Sequence, residues 1–355
     1  MKPFKDLTVI ELASVLAGPS VGVFFAELGA KVIKVENDKT GGDVTRSWKL
    51  ATEDKSHPYS AYYSSVNWGK ESWFMDLKNE EDRQKLDQEI SEADVVVANF
   101  KPGDAVKLGL DFESLKKLNP TLIYGEITGF GKQNRTAYDV VLQAESGFLS
   151  MSGTPAGELC KMPVALIDVL AAHHLKEGLL LALLQHQQES KALKVTVSLY
   201  DAALASLVNQ GTNWIMGGHI AQPMGTLHPN IAPYGELFTC NDGKKIVLAI
   251  GTNKQFTALC EVLNCKTLSS DHRFSDNQQR VKNRVALAQE LSTAIALFSR
   301  EEIMQLLLEK QVPTGALRNI KEVFELPEAQ QLLLQETKEE ELLTAVKSVI
   351  FQITT

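Results

Sequence analysis

Short apolar runs and amphipathic stretches alternate along the first 130 residues. Thr8 to Leu12 (TVIEL) reads as a strand. Gly18-Pro19 then opens a helix, where a proline in the first turn loses no hydrogen bond. Val21, Phe24, Phe25 and Leu28 give that helix one apolar stripe, and Gly29 stops it. Lys31 to Glu36 (KVIKVE) predicts a second strand and Glu71 to Leu77 a third. Asn79 to Ser91 is a charged amphipathic helix. Asp94 to Phe100 (DVVVANF) has the continuous apolar character of a strand buried on both faces. Phe112 to Leu118 reads as a helix and Leu122 to Phe130 as a strand. Strands separated by helices predict an α/β chain with a doubly wound, Rossmann-like parallel sheet, whose ligands sit beyond the strand C-termini.

After residue 140 the pattern changes to long helices, Val169 to His186 and Leu199 to Ile215. Residues 217–235 are rich in glycine and proline and predict a boundary. Beyond it, two strand-like runs flank Asn241-Asp242-Gly243, a hairpin signal, and helices around 254–263, 283–297 and 300–309 complete a smaller α+β lobe. The expected organisation is 1–216 for a large domain, 217–325 for a small one and 326–355 for a C-terminal segment. From about Glu328 the tail reads as acidic helix, then as a strand over Ser348 to Ile353.

Composition narrows the classes. Of 355 residues, 44% are hydrophobic and 23% charged, an ordinary globular balance. The net charge of −8 argues against nucleic acid as a partner. No apolar run reaches the roughly 20 residues that span a bilayer, and the N-terminus lacks a signal-peptide core, so the expectation is a cytoplasmic protein with no membrane partner. Cys160, Cys240, Cys260 and Cys265 have no zinc-ligand spacing. His173-His174 are adjacent, so on a helix they point to different faces. No metal is expected.

The turn LAGPSVG is not GxGxxG, so a dinucleotide site is disfavoured. Asp168, directly before a long apolar helix, is the more interesting group. Its position alone suits a helix N-cap. It also suits a poorly solvated carboxylate acting as a nucleophile. A carboxylate fully engaged in capping is a poor nucleophile, so the two roles compete. Asn99-Phe100 ends a buried strand and leads into Lys101-Pro102-Gly103, with Lys107 close behind, which puts polar and basic groups at a ligand edge.

Taken together, these segments resemble the class III coenzyme A transferase family (CaiB/BaiF type), which includes formyl-CoA:oxalate and carnitine CoA-transferases. The carriers run in order from residue 3 to about 330. They are LTVIELASVLAGPSVGVFFAELGAKVIKVE, GGDVTRSW, ADVVVANFKPGDAVKLGL, AYDVVLQAESGFLSMSGTP, the Asp168 segment, HPNIAPYGELFTCNDGKKIVLAIG, RFSDNQQRVKNR and VPTGALRNIKEV.

The resemblance implies a large domain built from both chain ends, an inserted small domain and a homodimer of interlocked rings. It implies acyl-CoA and a carboxylic acid acceptor as substrates, with no tightly bound cofactor. It places the nucleophile at Asp168, and CoA contacts at Leu16, Ala17, Met75 to Lys78, Asn99, Phe100, Lys101 and Lys107, with Tyr138 and Asp139 bordering the active site. His228 and Tyr234 in the 225–235 loop, with Gln143 to Ser150, become candidate substrate walls. Neither stretch carries a cation for a second carboxylate, apart from a protonated His228.

Three departures from the family stand out. Asn37 replaces the usual basic residue after KVE, with Lys39 nearby. Lys107 replaces an arginine, so it would hold a phosphate only as a point charge. The closing PxLGxHT-like segment is absent. The family also contains α-methylacyl-CoA racemases, the alternative reading; a third reading is a family member that has lost catalysis and only binds CoA. Ala137-Tyr138-Asp139 lacks the racemase histidine, and Val169 to Ala172 replaces the racemase glycines, which favours transfer.

Overall fold

A computed structural model describes residues 2–338 and 340–354. They form two compact units. The first comprises Met1–Leu149, Lys161–Ala221 and Gln330–Thr355; the second comprises Ser150–Cys160 and Gln222–Ala329.

The first unit is built on six parallel strands: β1 (Thr8–Leu12), β2 (Lys31–Asn37), β3 (Glu71–Met75), β4 (Val95–Ala98), β5 (Ile123–Thr128) and β6 (Leu193–Ser198). Their order is β3-β2-β1-β4-β5-β6, which reverses direction between β1 and β4. Successive residues of a strand point to opposite faces. Val9, Val32, Val95 and Val97 accordingly pack on one face beneath α1 (Ala17–Glu27). Ile10, Ile33, Val96 and Ala98 pack on the other with Leu86, Ile90 and Leu115. α2 (Ala61–Asn67) precedes β3; α3 (Glu80–Glu92), α4 (Asp104–Leu108) and α5 (Phe112–Leu118) follow in chain order. α6 (Asp139–Glu145) and the 21-residue α7 (Leu166–His186) come between β5 and β6. Ile167, Ala171, Leu175 and Leu179 of α7 share the α1 face of the sheet. Because α7 runs back antiparallel to the strand it feeds, its N-terminus lies at the strands' C-terminal edge.

Two expectations need correction. The single helix over Leu199 to Ile215 is two, α8 (Leu199–Ala205) and α9 (Val208–Gly217), broken where Val208 takes φ 44°. The acidic tail is a hairpin, with Leu333–Lys338 antiparallel to Glu341–Val346, and residues 348–353 form no strand. Leu343 and Ala345 alternate into the interior, Leu343 beside Tyr59 and Tyr63. That burial outweighs the helix propensity of the surrounding glutamates.

The second unit has a three-stranded antiparallel sheet of Tyr234–Thr239, Lys245–Ala249 and Thr314–Ala316. Phe238, Ile246, Leu248, Leu259, Leu287 and Leu291 belong to its separate core. No helix among the described residues is long and apolar enough to cross a membrane.

Candidate active site

A cleft of 720 Å³ opens where the strand order reverses, at the C-terminal ends of β1 to β4. Met75, Lys78, Asn99, Phe100 and Lys101 line it, as does Asn37. Lys34, Glu36, Asp43 and Arg46 line it too, and reasoning from sequence assigns none of these a role. Their signal is present in KVE and GGDVTR, but charged residues there look solvated until the fold brings them together.

These charges are paired beneath the cleft floor. Lys34 faces Glu11 across the β1–β2 register and lies 3.0 Å from its carboxylate and 3.0 Å from Asp43. Lys70 lies 2.6 Å from the other Glu11 oxygen. All four side chains are buried. Each acid therefore meets a cation, as buried charge requires. Arg46 grips Glu36 with two donors, at 2.7 and 2.6 Å, and holds that carboxyl down at about 2 against the opposing effect of burial. Among the described residues neither Lys78 nor Lys101 makes an ion pair, and both are exposed, so they are the cations available to a phosphate. Lys107 pairs with Asp104 at 3.0 Å, and Lys39 with Asp76 at 3.4 Å.

Asp168 is the third residue of α7, not its cap. The cap duty falls to Asp139, whose Oδ1 accepts the Ile167 N–H at 2.8 Å. Asp139 is held in turn by the side-chain amide of Gln143, and Gln143 Oε1 accepts the Met162 N–H at 2.9 Å. This frees the Asp168 carboxylate from the role that competes with nucleophilicity. Burial, then the charge of Asp139, push it from 3.8 up to about 7.

Tyr62 shares this neighbourhood. Burial, then the charges of Asp168, Asp139 and Asp43, push its hydroxyl up to about 12, so it stays protonated as a donor. Its ring meets Trp48 edge-on at 5.1 Å. Asp43 lines the cleft, and its charge also acts on Tyr62.

The other expected residues fall at known places. Leu16 and Ala17 begin α1, on the face that α7 shares. Tyr138 is 59% exposed and precedes α6. In the second unit the rings of His228 and Tyr234 lie 5.1 Å apart. Among the described residues no group of three or more His, Cys, Asp or Glu side chains could hold a metal ion.

The family model described as "CoA-transferase family III" matches residues 4–353. The chain is 37% identical to a succinate–glutarate CoA-transferase of Agrobacterium fabrum, over 92% of this chain and 83% of that one. It is 34% identical to an acetyl-CoA:oxalate CoA-transferase of Acetobacter aceti, again over 92% and 83%. The solved structure of a CaiB/BaiF family protein from Brucella suis superposes with a TM-score of 0.87 at 34% identity, covering 99% of this chain and 93% of that one.

Proposed function

The chain belongs to CoA-transferase family III, and from that premise we propose that it transfers CoA from an acyl-CoA to a carboxylic acid through a covalent intermediate on Asp168. The Asp168 carboxylate attacks the thioester carbonyl, giving a mixed anhydride and CoA thiolate. The thiolate then attacks the aspartyl carbonyl. An aspartyl-CoA thioester forms, and the donor acid leaves with one oxygen from Asp168. The acceptor carboxylate reverses both steps and takes the CoA. Splitting one exchange in this way lowers each barrier, and the poorly solvated setting of Asp168 favours transfer over hydrolysis of the thioester.

The observation that carries this reading is the division of labour at the α7 N-terminus. Asp139 caps the helix, which leaves Asp168 uncommitted and poorly solvated at the ligand edge of the sheet. The cleft would take the CoA moiety, with Lys78 and Lys101 toward its phosphates and Leu16 and Ala17 at the first turn. The relatives named for succinate, glutarate and oxalate make short dicarboxylic acids the acceptors to test first.

The test is Asp168→Ala. It should lose transfer while still binding CoA, and transfer at the wild-type rate would refute the mechanism. Incubating the wild type with an acyl-CoA in deuterated water separates racemase chemistry, because deuterium entering the α-carbon without an acceptor acid would point to it. The exposure of α9, with Ile215 81% and Met216 84% exposed, supports a homodimer. A monomer in sedimentation at micromolar concentration would count against that.

A further inference from the structure

The first β–α turn is held in a conformation its sequence does not favour. Val15 has φ 72°, a region that a β-branched residue enters only under constraint. Among the described residues the other β-branched case is Val208, exposed at the break between α8 and α9. Val15 instead sits in a grip.

Lys34 donates to the Ala13 carbonyl at 2.8 Å. Asn99 takes the next residue from both sides: its Oδ1 accepts the Ser14 N–H at 3.0 Å, and its Nδ2 donates to the Ser14 carbonyl at 2.8 Å. Asp43 accepts the Val15 N–H at 3.1 Å. Three consecutive residues are thus fixed by side chains from β2, the end of β4 and the loop after β2. All three side chains line the cleft, and the turn they fix leads directly into Leu16 and Ala17.

A strained backbone persists only when its surroundings over-determine it. The buried ion pairs supply that excess here. Lys34 is fixed between Glu11 and Asp43, and Lys70, paired to Glu11, also donates to the Pro19 carbonyl in the first turn of α1 at 2.9 Å. Gly18 allows the close approach, since a Cβ there would lie 2.3 Å from that of Ala13.

We infer that Asn99 and Asp43 are positioning residues for acyl-CoA, holding the strained Val15 turn in its binding conformation before the ligand arrives. This rests on the reading above that the turn meets acyl-CoA. Preorganisation of this kind lowers the ordering cost of binding. Asn99 would then act on the backbone of Ser14 rather than through direct contact with the ligand.

The test is a rescue. Asn99→Ala and Asp43→Asn are made alone and together with Val15→Gly, because glycine accepts φ 72° without steric cost. Melting temperature checks folding, calorimetry reads CoA binding, and kinetics separate acyl-CoA KM from kcat. Each clamp variant should raise the CoA Kd and the acyl-CoA KM by on the order of tenfold, the size expected for releasing one strained residue, with kcat changed less. Val15→Gly should recover most of that loss. A side chain that touches CoA directly could not be replaced by relaxing the turn, so failure of Val15→Gly to rescue would overturn the inference. So would wild-type CoA affinity in Asn99→Ala. If Asp43→Asn does not fold, the Asn99 pair decides by the same criteria. Wild-type protein that bound no CoA would instead overturn the functional reading beneath, and this inference with it.

Discussion

The charge of Asp139 should raise the pH at which the enzyme loses activity. Asp168 must be ionised to attack, and it is pushed from 3.8 up to about 7, first by burial and then by Asp139. The kcat/KM for acyl-CoA should therefore fall as pH drops through about 7. Asp139→Asn removes the charge and leaves the burial. Because burial is the larger cause, Asp139 supplies less than half of the rise, so the acid limb should move down by at most about 1.5 pH units. At pH 6 a carboxyl titrating at 7 is about one-tenth ionised, and one titrating at 5.5 about three-quarters. The ionised fraction at pH 6 should thus rise by up to about eightfold.

The substitution also disturbs geometry. The carbonyl oxygen of the introduced amide can still accept the Ile167 N–H, but its NH2 would face the donating amide of Gln143, which Met162 holds in place. A uniform drop in rate at every pH is expected from this, and it leaves the position of the limb readable. The CoA 3′-phosphate titrates near pH 6 with either enzyme, so the difference between the two profiles reports Asp168. An acid limb that stays put, or moves up, would refute the coupling.

Other outcomes follow from the same geometry. Gly22→Ala would place a Cβ 1.8 Å from the buried Glu11 carboxylate. Overpacking and displacement of Glu11 from Lys34 and Lys70 should cost about 2–4 kcal/mol by urea unfolding despite alanine's helix propensity; a neutral result would contradict the buried network. Asp168→Asn should raise the melting temperature at pH 8 but not at pH 4. The folded-state value lies above the unfolded one, so folded protein binds the proton more tightly, and stability falls as pH rises from about 4 to 7. A neutral amide removes that cost, which is about 4 kcal/mol at the upper bound. An equal effect at both pH values would point to packing instead.

How much of this is legible in the sequence depends on how local the cause is. Thr8–Leu12 and Phe112–Leu118 come out with the expected ends, because a short β-rich run and a short amphipathic helix behind an Asp111 cap are local features. The parallel sheet follows from the alternation of strand and helix. The tail escapes because Leu343 is buried by Tyr59 and Tyr63, nearly 300 residues away in sequence. The split of α8 from α9 carries no glycine or proline to announce it. At the site, Asp168 can be singled out by position, but its freedom from capping depends on Asp139, 29 residues earlier, reaching Ile167. Lys34, Asp43 and Arg46 are equally hidden. Each looks solvated in the sequence, and the charge that satisfies each one is supplied only when β1, β2 and the loop after β2 come together.

The central claim is that Asp168 carries the CoA between donor and acceptor, and one measurement addresses it directly. The enzyme is mixed with an acyl-CoA without acceptor, quenched in acid, digested and read by mass spectrometry. The account requires the peptide containing Asp168 to gain CoA with the loss of one water, and to lose it again on adding an acceptor acid. Turnover with that peptide unmodified at every quench time, or with the adduct on another residue, would contradict it.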